Sequence, residues 1–138
     1  MKKFLLGLTI GTALMTQAQN VLESDFATMH GTAPFSKIDN SQYEPAIDRG
    51  IALALKGIDD ITSNPAAPTF ENTIVALERN GADLNRVLNV FYPLLSADAD
   101  DEMMEISTRI SPKLSDFSTS ITLNNDLWKR VKTVYDNR

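Results

Sequence analysis

Tyr43-Glu44-Pro45-Ala46-Ile47-Asp48-Arg49-Gly50-Ile51-Ala52-Leu53-Ala54-Leu55-Lys56-Gly57-Ile58-Asp59-Asp60-Ile61 is the stretch that decides the fold. Tyr43, Ile47, Ile51, Ala54, Leu55, Ile58 and Ile61 recur every three or four residues. At about 100° per residue they fall within an arc of roughly 120°, a single core-facing stripe. Asp48, Arg49, Lys56, Asp59 and Asp60 lie outside it. The helix starts near Glu44, with Pro45 in its first turn, where a missing N–H costs nothing. Asn64-Pro65 ends it.

The same pattern continues toward the C-terminus. Thr69 caps a second helix, with Glu71 and Asn72 in its first turn and Phe70, Ile74 and Leu77 on one face. Asn80-Gly81 stops it. A third helix holds Leu84, Val87, Leu88, Val90, Phe91, Leu94 and Leu95. Its apolar arc widens to roughly 200°, so it is expected to sit centrally between at least two neighbours, with a bend near Pro93. Met103, Ile106, Ile110, Leu114, Phe117 and Ile121 stripe a fourth helix. Asn124 or Asn125 caps a last one, whose apolar side is Leu127, Trp128, Val131, Val134 and Tyr135. The Trp128 and Tyr135 rings are expected in the core, since they share a stripe with the valines. Sustained period-2 runs are lacking. The fold class is therefore all-α, a bundle of about five helices.

Toward the N-terminus the pattern changes. Lys2 and Lys3 precede the apolar run Phe4–Met15, and Thr16-Gln17-Ala18 fits a small-x-small cleavage site. Residues 1–18 read as a signal peptide, cleaved after Ala18 to leave Gln19. The run is shorter than the ~20 apolar residues of a spanning helix, so no stable membrane anchor is expected. The mature protein is expected to be exported, periplasmic or extracellular. Residues 19–40 form an irregular lead-in and 41–138 the helical part.

Composition narrows the chemistry. Cysteine is absent, which removes disulfides, thiolate nucleophiles and Cys-ligated metals. The net charge of -5 argues against nucleic acid, whose phosphates need clustered basic residues. His30 is the only histidine, and His-Glu-x-x-His is absent, so no zinc ligand set can be assembled. Ser36 and Ser41 lack a Gly-x-Ser-x-Gly turn and have only His30 as a base. Glu44, Glu71, Glu78 and Glu105 are conceivable paired carboxylates but read as solvated helix surface. Asp98-Ala99-Asp100-Asp101-Glu102 lacks calcium-loop spacing and reads as a helix start. No catalytic, cofactor-binding or metal residue is assigned.

Several strings resemble a known family. They are Pro34-Phe35-Ser36-Lys37-Ile38, Tyr43-Glu44-Pro45-Ala46-Ile47 and, most specific, Asn64-Pro65-Ala66-Ala67-Pro68-Thr69-Phe70-Glu71-Asn72-Thr73-Ile74-Val75-Ala76-Leu77-Glu78. Val90–Leu94, Ile110–Leu114 and Leu123–Val131 continue in order. Together they resemble the start of the thimet-oligopeptidase and dipeptidyl carboxypeptidase family of zinc metallopeptidases, over nearly all of the expected mature chain. The nearest subgroup is the exported bacterial peptidyl-dipeptidases.

The resemblance implies a mostly helical zinc enzyme with a channel between two halves, cleaving short peptides and releasing C-terminal dipeptides. It implies zinc held by a His-Glu-x-x-His helix and a later Glu, none of which can be placed in this sequence. It further implies that residues 41–138 are the N-terminal helical subdomain, a channel wall and lid without the catalytic domain, inactive alone and partnered by the missing C-terminal portion. The alternative reading is a stand-alone exported helical module that binds peptides.

Overall fold

The computed structural model describes residues 20–138, and the expected signal peptide at residues 1–18 lies outside them. Five α-helices follow one another: α1 (Tyr43–Thr62), α2 (Ala76–Arg79), α3 (Ala82–Asp98), α4 (Asp101–Thr122) and α5 (Asn125–Asp136). No strand occurs among the described residues, so the all-α expectation holds. Short 3-10 turns at Val21–Glu23, Met29–Gly31, Phe35–Lys37 and Asn40–Gln42 precede α1.

Helix ends follow local chemistry. Asp39 opens a capping box one turn before α1: its carboxylate accepts from Ser41 N at 3.0 Å, and Gln42 Oε1 accepts from Asp39 N at 3.1 Å. Asp100 caps α4 by accepting from Met103 N at 2.8 Å. Asn124 caps α5, accepting from Asp126 N and Leu127 N. Thr69 is a cap as expected, with Asn72 N donating to its hydroxyl at 3.1 Å. The six residues that follow, Phe70–Val75, form a π-helical turn before α2 begins. The wider turn breaks the expected register, and Phe70 stands 64% exposed instead of sharing a core face with Ile74 and Leu77.

The central helix is α1, which packs against α2, α3, α4, α5 and the Val21–Glu23 turn. The sequence expectation gave that place to the third helix. Small residues explain the difference. The buried face of α1 is Tyr43, Ala46, Ile47, Gly50, Ala54, Ile58 and Ile61. That face is rotated about 60° from the expected stripe, toward Ala46 and Gly50, which leaves Leu55 exposed and Ile51 half-buried. Leu84 of α3 packs against Gly50, where a Cβ would stand 2.9 Å from Leu84 Cα. The close approach makes α1 the main neighbour of α3, whose buried face is Leu84, Val87, Val90 and Phe91. Leu22 in the lead-in, fully buried, caps the same seam.

Two apolar cores result. The larger joins Leu22, Tyr43, Ala46, Ile47, the buried face of α3, and Met103, Ile106 and Ile110 of α4. At its centre Tyr43 meets Phe91 edge-to-face at 5.0 Å. The smaller core consists of Ile58, Ile61 and Leu127, flanked by Ala76, Leu77, Ile121 and Val131. A polar side chain lies where α1 passes from one to the other. Asn80 Nδ2 donates to the Ala54 carbonyl at 2.9 Å, and its amide occupies the space left by the absent Cβ of Gly57.

Candidate functional site

The residues weighed for catalysis are dispersed. His30 is exposed, on a turn with φ 60° and ψ 17°. Ser36 and Ser41 are exposed, and the Ser41 hydroxyl donates to Asp39. Glu71 faces Arg79 at 3.8 Å, and Glu78 is solvent-exposed. The structure does bring Glu44 and Glu105 together, through Arg109 between them. Among the described residues no group of three or more His, Asp or Glu side chains is arranged to hold a metal ion. The residues present therefore do not fit a zinc site.

Arg109 belongs to a polar seam between α1 and α4. Its Nε donates to Glu44 Oε2 at 2.8 Å. One turn further along α4, Lys113 Nζ donates to Glu44 Oε1 at 3.0 Å and to Asp48 Oδ1 at 2.7 Å. Hydrogen bonds from Arg109 and then Lys113 hold the Glu44 carboxyl below its ordinary range. Hydrogen bonds to Asp48 and then Glu44 push the Lys113 ammonium up. Beside the seam a groove of about 460 Å³ runs past Asn40, Glu44, Asp48, Glu102 and Arg109. Its carboxylates are occupied: Asn40 Nδ2 also reaches Asp100 at 2.9 Å and Glu102 at 3.2 Å. The acidic break at 98–102 is thus a capped helix start with an attached asparagine.

A second polar centre lies at the other end of the molecule. Arg130, 8% exposed, extends from α5 across the segment joining α1 to the π-helical turn. Its Nη1 donates to the Asn64 carbonyl at 2.9 Å, and its Nη2 to Asn72 Oδ1 at 3.2 Å. Asn72 Oδ1 also accepts from Thr69 N and the Thr73 hydroxyl, while its Nδ2 donates to the Ala67 carbonyl at 2.9 Å. All the oxygens that Arg130 meets in these bonds are neutral. The Asn64 carbonyl lies just past the C-terminus of α1, where the helix dipole favours a cation. The segments 64–78 and 123–131, read separately from the sequence, are joined here through one guanidinium. Sequence periodicity did not find Arg130, because it sits beside Leu127 on the packed face of α5 and its main partners are backbone carbonyls.

The aromatic expectation for α5 is corrected. Trp128 is 62% and Tyr135 59% exposed. The helix packs through Leu127 and Arg130, with Val131 and Val134 half-buried, and both rings fall on its flank. The Arg138 guanidinium lies 3.6 Å above the Tyr135 ring.

Sequence comparison adds kinship to this geometry. No family model matches the chain. It is 38% identical over 104 residues to a dipeptidyl carboxypeptidase of Salmonella typhimurium, covering 75% of this chain and 15% of that protein. It is 37% identical over 113 residues to a dipeptidyl carboxypeptidase of Escherichia coli, covering 81% and 17%. The chain thus spans less than a fifth of the length of the curated relatives it matches.

Proposed function

We propose, on the premise that this chain is related to the dipeptidyl carboxypeptidases, that it serves as a helical wall and lid in a zinc-dependent peptidyl-dipeptidase. The whole enzyme would hydrolyse short peptides and release C-terminal dipeptides. The observation that carries the reading is 38% identity along 104 residues to a protein named for that activity, a dipeptidyl carboxypeptidase. The architecture supports it. The side chains weighed for catalysis stand on exposed turns, on exposed helix surface or in ion pairs, and the buried ones build scaffold. Zinc is part of the proposal through kinship alone, and its ligands must come from outside residues 20–138. The wall by itself is accordingly inert.

A graft tests this. The 104-residue segment of the Salmonella protein is replaced by the matching part of this chain, and dipeptide release from a blocked tripeptide is followed. Activity within about tenfold of the parent is expected, since volume-conserving changes in a packed scaffold are tolerated. A folded but inactive graft overturns the reading. Peptide cleavage by the purified 138-residue chain overturns its inertness.

Export belongs to the same proposal. Periplasmic recovery from a bacterial host, with Gln19 as the first residue, is the expected result. An uncleaved chain retained in the cytoplasm refutes it.

A further inference from the structure

The smaller core is held differently from the larger one. It buries three side chains, Ile58, Ile61 and Leu127, against eleven in the other. The hydrogen bond from the Asn80 amide to the Ala54 carbonyl falls on α1 between Ile47 of the larger core and Ile58 of the smaller. Helix α5 contributes only Leu127 and Arg130 as buried residues, while Trp128 and Tyr135 add little to its attachment. At 12 residues α5 is too short to persist as a helix once detached.

Arg130 ties α5 to the 64–72 segment at both ends, through Asn64 O and Asn72 Oδ1. Removing α5 would take the Arg130 donor from the Asn64 carbonyl and uncover the π-helical turn that packs against α5, so the two parts depend on each other. Turns border both of them. Leu123 and Asn124 separate α5 from α4, and Gly81, with φ 79°, separates the π-turn and α2 from α3.

We propose that residues 63–79 and α5 open together as one flap, latched by Arg130, while the larger core around α3 and the first half of α4 stays closed. The flap is a local unfolding unit of low stability in a fold whose other half is firm. Its opening exposes Ile58 and Ile61 of α1.

Hydrogen–deuterium exchange of the whole 138-residue chain, in rising sub-denaturing urea, tests the proposal. Amides in residues 63–79 and in α5 should exchange at least about tenfold faster than those in α3, with a urea dependence common to the two flap parts. Arg130→Met should speed exchange in both parts by about tenfold or more and leave α3 unchanged. One common protection across flap and α3 overturns the proposal, as does acceleration of α5 alone or no acceleration. Should Arg130→Met fail to fold, the unsubstituted chain still decides by whether its two halves exchange separately.

Discussion

Leu84 rests on Gly50 so closely that a Cβ there would stand 2.9 Å from Leu84 Cα and 3.0 Å from its Cβ. Backbone and a buried side chain form that contact, so neither can give way cheaply. Gly50→Ala gains up to about 1 kcal/mol of helix propensity. Overpacking costs about 1–3 kcal/mol. A net destabilisation of up to about 2 kcal/mol is expected in urea unfolding. An unchanged or raised midpoint would show that α3 can move away from α1.

The Glu44 carboxylate is shared by Arg109 and Lys113, and its proton affinity is lowered in the fold. A carboxyl lowered in this way adds stability above its unfolded-state value and loses it as pH falls through the folded-state value. The seam's contribution is therefore present at neutral pH and fades below the ordinary carboxylate range. Lys113 is shifted up, so its share persists until strongly alkaline pH. Glu44→Gln should cost about 1 kcal/mol at pH 7, given the partly exposed partners. The difference from the parent should hold down to about pH 4, the ordinary carboxylate value, and shrink as pH falls below it. A difference independent of pH would show that the loss is steric.

Thr69 and Asn72 cap the π-helical turn reciprocally, but Asn72 also serves Thr73 and Arg130. Thr69→Ala should cost about 1 kcal/mol, the usual value for a cap. Asn72→Ala should cost more, about 2–3 kcal/mol, because it removes the acceptor of the Thr69 N–H and one of the acceptors of the buried Arg130 guanidinium, which keeps the Asn64 carbonyl. Equal losses in thermal unfolding would mean that Arg130 finds a substitute oxygen.

Trp128 is the only tryptophan, and it faces solvent. Its emission should resemble that of free indole in water and be quenched readily by acrylamide in the folded chain. Trp128→Ala should change stability by no more than about 0.5 kcal/mol. A blue-shifted, protected signal would show that the ring is covered in solution.

The sequence made the helices legible because their apolar residues recur at helical spacing and their caps have recognisable chemistry. Tyr43, Ile47, Ile58 and Ile61 fall where that spacing puts them. Ala46 and Gly50 escaped notice because burial of a small residue depends on what packs against it, here Leu84. Trp128 and Tyr135 misled for the opposite reason. Sharing a stripe with valines says that a face is apolar, and only the neighbours decide how much of it is covered. The Asp39-Asn40-Ser41-Gln42 box was readable in principle from its spacing. The meeting of Arg130 with Asn64 and Asn72 was not, since no periodicity links a guanidinium to a distant carbonyl. The resemblance ran through both segments, most specifically through 64–78, without showing that they touch.

The pairing of Glu44 and Asp48 with Arg109 and Lys113 also fixes the axial alignment of two long helices. Within each pair the residues lie four apart, so the seam repeats once per turn. If α4 slid about 5.4 Å, one turn, in one direction, Glu105 would come to stand where Arg109 now meets Glu44, acid against acid. A slide the other way would bring Phe117 toward Asp48 in place of Lys113. Neither shifted arrangement keeps both attractions, so the charge order acts as a notch that admits a single setting of α4 along α1.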